Sequence, residues 1–186
     1  MTEPDGSRPR DTASFLGGAV AWAFALGLLF FYVLVYVQHT AELAAYPYDV
    51  DQGEGYDVNS GWLIAQGRPI YTDNEQFPYY SSNYPPIYSL VLAGIVRQTG
   101  PTLAAGRLLS AAAALLTAVA IGVLVGWRSR SGLGGLTAAL LFIGSIYVFH
   151  TTPLARVNAL ALLLAVLGLA CCYGRSWVWQ ACAVLL

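Results

Sequence analysis

The sequence has no lysine. All nine of its basic residues are arginine, and ten carboxylates nearly balance them to a formal net charge of −1. A chain without a basic excess offers no electrostatic reason for a nucleic-acid partner, and that partner is excluded. Charge of either sign is scarce, 10% of residues against 57% hydrophobic. This balance excludes a soluble domain with one water-facing surface and points to an integral membrane protein. Cysteine is limited to Cys171, Cys172 and Cys182, all in late apolar segments. An odd, apolar-embedded set is no disulfide framework, and these residues read as small hydrophobes. Missing too are a Cys/His metal-ligand cluster, a GxSxG elbow, a Ser/His/Asp set and a phosphate-cradling glycine loop after a strand. Finally, no acidic residue occurs after Glu75, so acid or base chemistry must come from the earlier region, or from histidine or tyrosine.

What is present is a series of long apolar runs. The uncharged run at 14–37 exceeds the ~7–15 residues of a signal-peptide core and reads as a retained first transmembrane helix, with a cleaved signal as the alternative. Further spans are expected at 103–127, 133–150 and 157–173. A fifth opens at Trp177 and reaches about half of the ~20 residues a crossing needs, so the chain reads as a fragment of a longer protein. The expected fold class is all-α, a polytopic transmembrane helix bundle with a long outer loop containing short interfacial helices. The expected organisation is a cytoplasmic tail at 1–13, the first helix at 14–37, the outer loop at 38–102, and helices two to four with the truncated fifth at 103–186. Arg8, Arg10, Arg128, Arg130 and Arg175 fall on one side of such a bundle, which the positive-inside rule makes cytoplasmic. The expected location is thus the cell membrane, multi-pass, with the loop on the extracytoplasmic side. Arg68, Arg97, Arg107 and Arg156 then lie outside and need another reason. No repeats stand out, and "SAAAALLTAVA" supplies small residues for close helix packing.

The outer loop carries the chemistry. Residues 49–57, "DVDQGEGYD", hold four carboxylates. From Glu54 a short helix is expected, ended by Gly67 and Pro69, with Glu54, Val58, Trp62 and Ala65 on one face. A carboxylate at the head of an apolar stripe is partly desolvated, so its proton affinity rises and it suits general-base work near neutral pH, unless a cation holds it ionised. Asp57 points elsewhere on this helix, and Asp51 joins the face only if the helix extends back through two glycines. A solvated loop that merely carries acids is the bland alternative. In "SSNYPPIYSL" the prolines hold Tyr84 extended before a helix that starts at Pro86, and "PPIYSLVLAGIV", 85–96, is too short to cross and lies in the interface. Tyr84 and Tyr88 sit at headgroup level, as anchors or as substrate contacts. Arg156 and Asn158 open an apolar helix on the outer side. Arg156 either snorkels to lipid phosphate or joins Arg107 in a specific anion site, since guanidinium donors match phosphate oxygens in pairs. His150 nearby reads more simply as a helix-end surface residue than as a ligand. Mid-span ionisable groups are lacking, which speaks against a transporter.

The order of one membrane helix, a loop with "DQGEG", then "AQGRPIY", "NYPPIYSLVLA", "GRLLSA" and "ARVNALAL" resembles the GT-C superfamily of polytopic glycosyltransferases. Within it, the resemblance is to the bacterial family 39-like, or RgtA/B/C/D-like, branch. It implies an enzyme that takes a sugar from a polyprenyl-phosphate carrier on the outer face of the membrane and passes it to an acceptor. It implies Asp51 and Glu54 as the acids that serve as base at the acceptor or contact a divalent cation, Mg or Mn. The candidate substrate contacts, from the residues themselves, are Arg107, Arg156, Tyr84, Tyr88 and Asn158; the partners the resemblance implies are the bilayer and the lipid-linked sugar. Relatives often carry an acid where this chain has Asn158, which removes a second acidic position here. A non-catalytic scaffold or a degenerate remnant of such an enzyme is the alternative.

Overall fold

The structure, a computed structural model, describes residues 12–173, with side chains from residue 17 onward. The tail arginines Arg8 and Arg10, and Arg175, Cys182 and the segment opening at Trp177, lie outside the described residues. Within them the chain is all helical, without a strand: α1 Thr12–Ala45, α2 Gly53–Ala65, α3 Ile87–Thr99, α4 Leu103–Ser129, α5 Gly132–Ile143, α6 Ile146–Thr151 and α7 Asn158–Cys172.

Two stretches are long and apolar enough to cross a membrane, Gly17–Ala45 and Leu103–Ser129. They differ in surroundings. The first is apolar yet exposed nearly all round, with Val20, Phe24, Leu28, Phe30 and Phe31 uncovered, the pattern of a helix whose solvent or partners are themselves apolar. α4 is the hub, touching α1, α2, α3, α5 and α7. Its alanine run packs on two sides. Ala114 and Ala118 meet Tyr36, Ile143 and Val148, while Ala113 meets Ala159 and Leu163.

Three features depart from the sequence expectation. α1 continues past Val37 to Ala45, because "QHTAELAA" is made largely of adequate helix formers and Gln38 donates to Glu42 one turn on at 2.9 Å. The run 133–150 is broken: α5 ends at Ile143, Ser145 is extended (ψ 129°), and α6 starts anew at Ile146. α5 at 12 residues spans about 18 Å and α7 at 15 residues about 22 Å. Neither reaches the ~30 Å of a hydrocarbon core. Of the four crossings expected, two are long enough among the described residues.

α2 and α3 pack together at one end of α4. Val58, Tyr88, Leu92, Val96, Ala105 and Ala155 form the core there, with Trp62 and Ala65 against it. α2 stops where Gly67 takes a left-handed turn (φ 72°), letting its amide reach the Ile64 carbonyl at 2.9 Å and that of Arg68 reach Leu63 at 2.9 Å. The segment between α2 and α3 is tied back onto α2. Tyr56 Oη donates to the Ser81 carbonyl, Ser60 Oγ and Tyr80 Oη share a bond of 2.6 Å, and the Tyr56 and Tyr80 rings lie 4.7 Å apart.

Candidate functional site

Two ion-paired groups form where α2 meets the start of α4 and the link between α6 and α7. The inner one is Glu54 with Arg107, both fully buried and 2.8 Å apart. Arg107 uses all five of its N–H donors. Nε and Nη2 bond the two Glu54 oxygens at 2.8 Å each, Nη1 bonds the carbonyls of Leu43 and Tyr46 at 2.6 Å each, and Nη2 also bonds that of Tyr48 at 2.8 Å. The chain leaving α1 thus hands its orphaned carbonyls to a side chain of α4. Glu54 also accepts from the amides of Val50 at 2.8 Å and Ala155 at 2.9 Å. Ala155 comes this close because residue 106 is glycine, where a Cβ would lie 2.6 Å from the Ala155 Cβ.

This saturation reverses the sequence expectation for Glu54. Burial alone raises its proton affinity, but the Arg107 hydrogen bonds, the two amides and the Arg107 charge outweigh burial and hold the carboxyl at about 2. It is ionised at neutral pH, enclosed, and without a free lone pair for an acceptor proton or a metal. Arg107 likewise has no donor left for a phosphate. In this arrangement the two side chains bond each other and the backbone, and Arg107 and Arg156 stand in separate groups.

The outer group is centred on Arg156, whose side chain is 19% exposed. Its Nη1 bonds Asp51 Oδ2, its Nη2 donates to Tyr84 Oη at 3.3 Å, and its Nε stands 3.2 Å from Asp57 Oδ2. The guanidinium fits because position 53 is glycine: a Cβ there would lie 1.8 Å from Arg156 Nη1. Asp51 is the open member, its side chain 43% exposed. Asp57 is 2% exposed, and among the described residues its Oδ2 and Arg156 Nε each lack a hydrogen-bond partner despite their proximity. The two are an ion pair without hydrogen-bond alignment. Burial pushes the Asp57 carboxyl up to about 6, against the opposing pull of Arg156 and the Val157 amide and with the help of Asp51.

Beside this cluster lies a cavity of about 370 Å³ between α3 and the start of α7, lined by Tyr84, Tyr88 and Asn158 among apolar neighbours such as Ile87, Leu160 and Leu164. Tyr88 is nearly fully buried, its hydroxyl engaged with the Gly106 carbonyl at 3.2 Å and with Ser110 Oγ at 3.3 Å. Burial raises its phenol out of titrating range. Tyr88 thus forms part of the cavity wall with its hydroxyl turned to α4. Tyr84 and Asn158 are exposed. His150 is exposed on α6 and makes no hydrogen bond to the cluster among the described residues.

The structure thus joins Asp51, Arg156 and Tyr84, places Tyr84 and Asn158 on the wall of the adjoining cavity, and sequesters Glu54 with Arg107. Helical spacing sets Asp57 off the Glu54 face, and its ion-pair partner Arg156 arrives from the distant α6–α7 link. Asp51 and Glu54 do not fit a divalent cation: one is bound to Arg156, the other has every oxygen occupied, and no group of three or more His, Cys, Asp or Glu able to hold a metal exists among the described residues. No family model, no curated protein and no solved structure matches this chain.

Proposed function

We propose that this chain is part of an integral membrane glycosyltransferase that moves a sugar from a polyprenyl-phosphate donor to an acceptor on the outer face of the membrane. One observation carries this reading: a partly exposed guanidinium, Arg156, flanked by a solvent-reached carboxylate, Asp51, stands beside an apolar cavity. A lipid-linked substrate needs that combination, a cation for its phosphate next to a slot for its hydrocarbon. Asp51 accepts the proton of the acceptor hydroxyl as its oxygen bonds to the anomeric carbon. The bond from that carbon to the phosphate oxygen breaks, and the departing phosphate takes the electron pair under the Arg156 charge. Tyr84 and Asn158 orient the headgroup, and the two long apolar helices provide the membrane anchorage.

The test is sugar transfer by the full-length protein in detergent or vesicles, with a polyprenyl-phosphate sugar as donor. Asp51→Asn and Arg156→Ala are expected to lower the rate by roughly a hundredfold or more, with thermal unfolding little changed. Wild-type transfer by both variants overturns the assignment. A non-catalytic scaffold is favoured by a different observation, the complete saturation of Glu54 and Arg107. That role requires Arg156 and Asp51 to be dispensable for every transfer reaction while Glu54 remains essential for folding.

A further inference from the structure

Asp57 belongs to neither the clamp nor the solvent-facing mouth. Its buried Oδ2 holds Arg156 Nε at 3.2 Å without hydrogen-bond alignment, and the guanidinium lies over the Gly53 backbone, where a Cβ would meet it at 1.8 Å. Other charged or titratable groups around Asp57 are Asp49 and Asp51 in the turn before α2, Glu54 and Tyr56 on α2 itself, Tyr88 on α3, Arg107 on α4, and Arg156 in the α6–α7 link. Glu54 and Arg107 cancel each other at 2.8 Å. The remaining balance is one guanidinium against Asp51 and Asp57, a net negative cluster that repels an anion from Arg156, whose Nη2 bonds the cavity-lining Tyr84. Asp49 beside α2 adds to that repulsion.

We propose that Asp57 is a positioning residue that latches Arg156: ionised, it holds the guanidinium down over Gly53, and protonated, it releases that cation to a phosphate anion, so that anion binding at this mouth takes up one proton. The inference rests on the phosphate site proposed above and adds its regulation. It has a chemical basis in the poor alignment of the pair. A buried carboxylate oxygen that faces a cation without an aligned hydrogen bond, as Asp57 Oδ2 faces Arg156 Nε, is protonated more readily than one held by directed donors, and burial already favours the neutral carboxyl at mildly acidic pH.

The experiment uses the full-length protein in detergent micelles and, as probe, a long-chain prenyl phosphate methyl diester, whose headgroup keeps one charge throughout the range. Between pH 7.5 and 5.5 the wild type is expected to tighten its Kd by about tenfold or more. Asp57→Asn is expected to bind at both pH values as the wild type does at pH 5.5. Equal pH slopes in the two proteins, or none in the wild type, overturn the latch. Should neither protein bind the diester, the phosphate site itself fails, and the latch is then judged alone by NMR. The Asp57 carboxyl carbon and the Arg156 Nε signal are expected to titrate together, and an Arg156 signal that stays fixed while Asp57 titrates refutes it.

Discussion

Glu54 and Asp57 stand three residues apart on the same helix, are 0% and 2% exposed, and each faces an arginine. Their proton affinities nevertheless move in opposite directions, Glu54 down to about 2 and Asp57 up to about 6. Burial pushes both upward. What separates them is the number of donors aimed at the carboxylate. Glu54 receives two from Arg107 and two from backbone amides at 2.8 to 2.9 Å, whereas Asp57 has the Val157 amide and, among the described residues, no aligned donor on its Oδ2. A nearby cation is therefore not enough to keep a buried carboxyl ionised. Directed hydrogen bonds decide it. The first arrangement pins four chain segments together, and the second is free to change its charge.

The strongest consequence falls on the pin. Glu54→Gln keeps the shape but leaves Arg107 as a buried charge without its counter-ion, a loss of about 3–5 kcal/mol. Thermal or denaturant unfolding in detergent at pH 7 measures it, and a loss below about 1 kcal/mol removes the distinction between the two pairs. The pH dependence has a defined sign. The folded carboxyl of Glu54 is depressed from 4.5 to about 2, so its contribution is fully present above the unfolded value and is lost as pH falls through about 2. The gap between wild type and variant is thus constant from pH 5 to 8.

How legible this was in the sequence differs between the two pairs. The face formed by Glu54, Val58, Trp62 and Ala65 follows from spacing, and so does the stop at Gly67, because both depend on residues within one helix. The sign of the Glu54 shift depends on Arg107, 53 positions away, and on the amide of Ala155, 101 positions away, and no local pattern encodes which arginine arrives where. Arg107 and Arg156 look alike in sequence, each near the start of an apolar helix. Only the fold shows that one is enclosed and the other is partly exposed and bonded to the cavity-lining Tyr84. The break at Gly144 and Ser145 was masked by the hydropathy of its flanks, its one signal being two weak helix formers in succession.

Asp57 gives the intermediate effect, opposite in direction to that of Glu54. Its folded value is raised from 3.8 to about 6, so the folded state binds more protons than the unfolded chain between those values. Stability is greatest below the unfolded value and declines as pH rises through about 6. Asp57→Asn removes the ionisable group while preserving its volume. The variant is expected to match the wild type near pH 4 and to exceed it by about 1–3 kcal/mol at pH 8, read from unfolding curves at the two pH values. A variant less stable than wild type at pH 8 makes Asp57 a second pin, and the contrast with Glu54 disappears.

The smallest stability change is expected at Gly53→Ala. Two effects oppose each other there. Alanine in place of glycine within a helix contributes about 0.5–1 kcal/mol, while the new Cβ, 1.8 Å from Arg156 Nη1, forces the guanidinium off its seat. Only the far end of a long side chain has to move, and it is already 19% exposed, so water replaces the lost contacts and the net change in unfolding free energy stays within about 1 kcal/mol. The local charge state is more sensitive than the fold. Asp57 loses the cation that opposes its burial, and its titration midpoint, followed by carboxyl NMR, is expected to move above about 6. The Glu54 clamp, whose donors come from Arg107, Val50 and Ala155 and not from Arg156, keeps its depressed value. A Gly53→Ala protein in which Asp57 titrates as before places Arg156 outside the control of that carboxyl, whatever happens to stability.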